Sequence, residues 1–238
     1  MSTDRIPLGV SSCLLGNPVR YDGRHKRNPV VTDILAERFE LRPFCPEVGI
    51  GLGVPRPPIR LVAAKGEVRV VGARNPRLDV TDALGAYGLA QAKEVARLSG
   101  FIFKSASPSC GRANVPVFDA SGTVRASGSG LFAAAVMKAF PAMPVMDELE
   151  LADPAARDAF FVQVELYHQW RTHVAGTSDV ALLARFHSVV EARLAQRHAE
   201  MVSRLVGLVE NASRQEETAR WANDYIAVLM TSLRATRL

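Results

Sequence analysis

DVTDALGAYGLAQAKEVARLSGFIFKSASPSC, residues 79–110, runs from a helix through a stop and a strand into a polar loop. Asp79 or Thr81 caps the helix, its apolar positions continue to Leu98, and Gly100 ends it. Phe101-Ile-Phe then reads as a compact buried strand. The same alternation extends in both directions. On the N-terminal side, IPLGVSS (6–12) is a short apolar strand ending in small residues, and 31–38 is helical. FELRPF (39–44) is a strand entering a Pro-Gly-rich loop, and EVRVVG (67–72) alternates like half of a hairpin. On the C-terminal side, Gly130 opens the helix LFAAAVMKAF, Pro141 closes it, and MPVM (143–146) is a last strand. Strands and helices joined by short connections predict an α/β fold with a mostly parallel, Rossmann-like sheet.

The character changes near Leu151. Beyond it there are one proline and two glycines, and helical periodicity runs over 154–174, 179–211 and 214–234. In the middle stretch Leu182, Leu183, Phe186, Val189, Val190, Leu194, Met201, Val202, Leu205 and Leu208 form an apolar stripe. The expected division is therefore an α/β domain over 1–150 and a smaller all-α domain over 151–238.

Charge follows the same division. The net charge is +5, and residues 151–238 balance ten arginines with ten carboxylates, so the first domain carries the excess. Its basic residues gather at Arg20, Arg24, Lys26 and Arg27, and at Arg56, Arg60, Lys65, Arg69, Arg74 and Arg77. Such an excess permits a polyanionic partner, and a solvated basic surface explains it equally well. No apolar run is long enough to cross a bilayer, so no membrane role is expected. The N-terminus shows no export or import signal, which gives the cytoplasm as the expected compartment. There a set of three cysteines does not point to structural disulfides.

Each cysteine directly follows an expected strand. Cys13 lies between LGVSS and LLGNP, Cys45 between FELRPF and PEVGIG, and Cys110 between FIFKSASPS and GRANVP. In a parallel sheet all carboxyl ends share one edge, where open α/β proteins bind ligands. Three residues far apart in sequence can therefore converge. Three thiolates without a close CxxC pair leave several readings open. One is a catalytic zinc site, another is a 4Fe–4S cluster with one iron free for a soft ligand, and a third is three unrelated buried thiols. Ser11, Ser12, Glu47, Ser105, Ser107 and Ser109 crowd the same loops, which is unusual company for inert core thiols.

Four segments carry a family resemblance: SSCLLGNPVRYDGRHK (11–26), CPEVGIGLGVPRPP (45–58), the helix start DVTDAL (79–84) and FKSASPSCG (103–111). Together they resemble the motif set of the thiouracil desulfurases, over about the first 150 residues. The remainder more weakly resembles a helical domain often fused to that family, through ELYHQWR (165–171) and residues 184–209. The resemblance implies that Cys13, Cys45 and Cys110 hold a 4Fe–4S cluster with one open iron site. It implies that Glu47 and Ser107 are catalytic, and that Asp22, Lys26, Arg56 and Ser105 place the substrate. The implied reaction is non-redox removal of sulfur from a thiolated pyrimidine: water attacks the ring carbon and the cluster takes the sulfur. Fused forms are associated with 4-thiouridine in transfer RNA, stand-alone forms with free thiouracil. The alternative for Glu47 is an ion pair with Arg56, and for Ser107 a turn before Pro108.

Other features weigh less. Gly49-Ile-Gly-Leu-Gly runs into Pro55 and does not fit a dinucleotide fingerprint. Gly128-Ser-Gly130 precedes a helix and reads as an anion site or a plain helix start. His168, His173, His187 and His198 lack metal-site spacing, and Tyr167, Trp170 and Trp221 read as core. The helical domain also lacks the basic stretch expected after its FHS motif and stops early at Leu238, which weighs against RNA binding there. A thiol redox or zinc protein, and a regulatory protein acting through the helical domain, remain the competing functions.

Overall fold

The computed structural model describes residues 5–64, 66–214 and 218–235. Lys65 of the second basic cluster, and residues 215–217 at the expected start of the last helix, lie outside them. The chain forms two compact units: Met1–Pro141 with Val145–Asp153, and Ala142–Pro144 with Pro154–Leu238.

In the first unit the strands are β1 (Ile6–Ser11), β2 (Phe39–Phe44), β3 (Ile59–Ala64), β4 (Glu67–Gly72), β5 (Phe101–Phe103), β6 (Val115–Phe118), β7 (Val124–Gly128) and β8 (Val145–Asp147). One sheet has the order β2-β1-β5-β8, and all three of its pairings are parallel. Leu8 and Val10 of β1 and all of β5 are buried, as central parallel strands require. Gly9 makes the central contact possible, because a Cβ there would meet the Phe101 ring at 2.4 Å. Phe101 lies 5.3 Å from Phe44 and 5.9 Å from Phe132, ring centre to ring centre. Through Phe132, helix α2 (Leu131–Ala139) is fastened to this sheet.

Two expectations change. First, there is a second sheet, β4-β3-β6-β7, in which the β3/β4 and β6/β7 pairs are antiparallel and the β3/β6 pair is parallel. VPVF is interrupted by a proline and VRASG is nearly all exposed, so neither strand shows a periodic apolar signal. Second, the helix expected through Leu98 is α1 (Thr81–Ala90) followed by a single turn, Ala92–Val95. Gly85 and Gly88 weaken it, and Gly88 lets α1 approach α2, since a Cβ there would lie 3.1 Å from the Ala135 Cβ. Thr81 does not cap this helix; its hydroxyl accepts from the Val70 N–H at 2.8 Å, while Asp79 Oδ1 accepts from the Thr81 N–H at 3.0 Å. Arg69 is paired with Asp79 at 2.7 Å and is not a free surface cation.

The second unit contains α3 (Pro154–His173), α4 (Val180–Arg214) and α5 (Thr218–Ala235), which pack against one another. Most of the α4 stripe is buried, Leu183, Phe186, Val190, Leu194 and Leu205 among it, whereas Val189 faces out. Non-helical backbone at His198 (φ −137°, ψ 40°) kinks α4, so His187 and His198 do not share the single straight face their spacing suggests. His187 Nδ1 instead meets the hydroxyl of the fully buried Tyr225 at 2.9 Å. Tyr167 and Trp170 are buried. Among the described residues no helix is long and apolar enough to cross a membrane.

Removing the Tyr225 hydroxyl leaves a buried imidazole nitrogen unpaired. Tyr225→Phe is expected to lower stability by about 1–2 kcal/mol, read as a lower midpoint in urea unfolding followed by helical circular dichroism.

Candidate active site

The carboxyl ends of the parallel sheet deliver the cysteines. β1 ends in Ser11-Ser12-Cys13, and this exit is closed by Gly16 in the left-handed region (φ +93°). The Cys13 carbonyl accepts from the N–H groups of Gly16 and Lys26, which ties down the whole segment between them. β2 ends at Phe44, and the Cys45 carbonyl begins the turn Pro46–Gly49 by accepting from the Gly49 N–H at 2.9 Å. β5 ends at Phe103 and leads through Lys104 to Cys110. All three cysteines line one cavity, together with Ser11, Ser12 and Glu47. Cys13 and Cys45 are half-buried and Cys110 is buried.

Cys110 is held by an unusual use of a helix end. The first backbone N–H groups of α2 have no partner within the helix. Here the cysteine loop supplies the acceptors: Leu131 donates to the Pro108 carbonyl (3.1 Å), and Phe132 and Ala133 to that of Ser109 (3.0 and 3.2 Å). Gly130 donates to the Gly111 carbonyl at 2.8 Å, and a Cβ on Gly130 would sit 2.5 Å from the Ser109 carbonyl carbon. The glycines before α2 therefore serve close docking of the loop, and the helix start is engaged by protein carbonyls. Ser107 Oγ accepts from the Ser109 and Cys110 N–H groups at 3.3 and 3.0 Å.

Burial resists ionisation of these thiols. It pushes Cys13 up to about 11, with the Cys45 charge adding to it, while Lys104 and Arg20 pull the other way. Burial likewise raises Cys45 and Cys110, and Cys110 feels the charges of both other thiols.

Glu47 is gripped at both oxygens. Oε1 accepts from Ser109 Oγ at 2.8 Å and Oε2 from Arg56 Nε at 2.8 Å. The Arg56 side chain is only 3% exposed, and it also donates to the carbonyls of Gly53 (2.8 Å) and Val19 (2.9 Å). The ion pair weighed from sequence is thus present, and Glu47 still lines the cysteine cavity. It also lines a second, outer cavity of about 330 Å³. Arg20, Tyr21, Lys104 and Ser107 join Glu47 in both walls, and Lys26 and Ser105 belong to the outer one. Asp22 lines neither; it accepts from the Arg24 N–H at 3.1 Å and lies 3.5 Å from Arg20 Nε.

Lys104 and Glu148 escaped the sequence reading. They leave adjacent parallel strands, β5 and β8, and their side chains form an ion pair. Glu148 also accepts from the Ser105 N–H and hydroxyl, each at 2.7 Å, so Ser105 is held by this knot. The signal was a lysine directly after FIF and a glutamate directly after a final strand, both at the ligand-binding edge. Tyr21, inside the motif 11–26, was also passed over.

Among the described residues no group of three or more His, Cys, Asp or Glu side chains is gathered as a site for a metal ion. The three thiols share one cavity. The 2-thiouracil desulfurase family profile matches residues 8–148, more than half of the chain, and the protein belongs to that family. The Bacillus subtilis (strain 168) uncharacterized protein YbbK is 34% identical over 153 residues, which cover 60% of this chain and 97% of the relative. A solved structure of TudS, a [4Fe-4S]-dependent thiouracil desulfidase, is 32% identical with a TM-score of 0.50, covering 66% of this chain and 99% of that one.

Arg56→Ala leaves Glu47 without its cation in a nearly closed setting. It is expected to destabilise the protein by about 3 kcal/mol, measured by urea unfolding. Arg56→Lys is expected to recover only part of this, because an ammonium lacks the planar fork that reaches three acceptors.

Proposed function

We propose that this protein is an iron–sulfur-dependent desulfurase that converts a thiolated pyrimidine to its oxo form by non-redox hydrolysis. The observation carrying this reading is that three thiols from three parallel strand ends line one cavity, which meets a second cavity along a wall containing Glu47 and Ser107. Three thiols lining one cavity suit a four-iron cluster that keeps one corner open for a ligand. Cys13, Cys45 and Cys110 would hold three irons. Bound there, the cluster would supply an open Lewis-acidic iron for the substrate's soft sulfur.

The chain's own groups complete the chemistry. Glu47, fixed by Arg56 and Ser109, keeps free lone pairs to accept a proton from the attacking water. Ser107 Oγ already accepts two N–H bonds, so its own proton is directed outward as a donor to the substrate. Arg56 acts through Glu47, and the Lys104–Glu148 pair sets a fixed charge and holds Ser105 in the outer wall. Lys26 on that wall, with Asp22 acting through Arg20, places the substrate. The outer cavity, about 330 Å³, is at the lower end of the range for small-molecule sites and suits a single heterocyclic ring. The proposed substrates are free thiouracil and 4-thiouridine in transfer RNA, the latter with the cations of the first unit meeting phosphate and the neutral helical unit as an accessory. An open iron site suits a reducing compartment, the cytoplasm.

Anaerobic reconstitution with iron and sulfide is expected to give about four irons per chain and a brown visible absorbance. Sulfide release is then compared for 2-thiouracil, 4-thiouracil and 4-thiouridine-containing transfer RNA. Glu47→Ala is expected to keep the absorbance and lose about 100-fold or more in turnover, and Cys→Ser at 13, 45 or 110 to lose the cluster. Full iron uptake by all three serine variants, or undiminished turnover by Glu47→Ala, overturns the reading.

A further inference from the structure

We propose that Tyr21 is the platform on which the pyrimidine ring stacks, and so a specificity-determining residue of this site; the inference rests on the desulfurase reading. Tyr21 belongs to the wall shared by both cavities and is 42% exposed, a large aromatic surface left uncovered beside the thiols. The Arg20 guanidinium lies over the ring, 5.4 Å from its centre, and covers one face. A flat ligand would take the other. The remaining outer wall includes Pro58, Ile59 and Pro108, apolar surfaces that suit a planar heterocycle.

The ring is also registered with the reacting groups. The Tyr21 carbonyl accepts from the Arg56 N–H at 2.9 Å, and the Arg56 side chain holds Glu47 at 2.8 Å. One residue therefore fixes both the stacking surface and the carboxylate. The turn around Tyr21 is closed by Gly23 N–H to the Arg20 carbonyl (3.0 Å) and Arg20 N–H to the Arg24 carbonyl (3.1 Å). Among the described residues the Tyr21 hydroxyl has no hydrogen-bond partner, so the ring face is the functional part. Stacking on a π-face is what separates a pyrimidine from a saturated, puckered analogue.

The test uses the full-length protein reconstituted with iron and sulfide, as wild type, Tyr21→Ala and Tyr21→Phe. KM and kcat are measured for 2-thiouracil and for its non-aromatic 5,6-dihydro analogue, and the Kd of the product uracil by calorimetry. Tyr21→Ala is expected to raise KM for 2-thiouracil and Kd for uracil by about 5- to 100-fold. Its kcat should change far less, and its preference for the planar substrate should collapse. Tyr21→Phe should recover most of the loss. An unchanged KM in Tyr21→Ala, or an intact planar preference, overturns the proposal. Wild type that takes up its cluster yet releases no sulfide from any thiopyrimidine overturns the desulfurase reading instead, and uracil binding then still decides the stacking role.

Discussion

The docking of the Pro108–Gly111 carbonyls onto the first N–H groups of α2 is the constraint on which the rest of the site depends. A helix start buried without acceptors is costly, and here the acceptors come from the loop that carries Cys110. The same contact orients Ser109 toward Glu47 and lets Ser107 fold back on the Cys110 N–H. Neither glycine at the contact tolerates a side chain: a Cβ on Gly111 would meet the Ser107 carbonyl oxygen at 2.7 Å. Phe132, two residues into the helix, is fully buried against the sheet, so the sheet, the helix and the loop fix one another.

A parallel sheet explains why so many polar groups meet at one edge, and the ion pairs explain how that edge tolerates them. Buried carboxylates and cations are costly alone. Glu47 is matched by Arg56 and Glu148 by Lys104, with further hydrogen bonds on both carboxylates. Such pairs add little net stability over apolar packing. Their effect is orientation: each carboxylate is restrained through both oxygens.

Much of this was legible in the sequence because short apolar strands followed by small or polar residues mark carboxyl-edge loops, as LGVSS-Cys13 and FIFKSASPS-Cys110 do. Strand order was not needed for that inference, only parallelism. Of the second sheet, β4 was legible as half of a hairpin, but β6 and β7 were not, since β7 is almost wholly exposed and β6 is broken by Pro116. The Glu47–Arg56 pair was legible as an alternative, but the carbonyls of Gly53 and Val19 that complete the Arg56 site were not, because composition does not reveal which acceptors surround a cation. Lys104 and Glu148 were missed for the same reason: a charge at a strand end gains meaning only when the neighbouring strand supplies its counterpart.

The electrostatics of the cysteine cavity bear on what it can hold. Three protonated thiols are compatible with burial, but three thiolates would set mutually repelling charges in one partly desolvated space. The cations beside them do not suffice, because Arg56 already answers Glu47 and Lys104 answers Glu148. Arg20 is left, and it lies within ion-pair reach of Asp22. A positively charged partner entering this cavity would favour the thiolates and release their protons as it binds. Among such partners the soft sulfur donors would favour a thiophilic one.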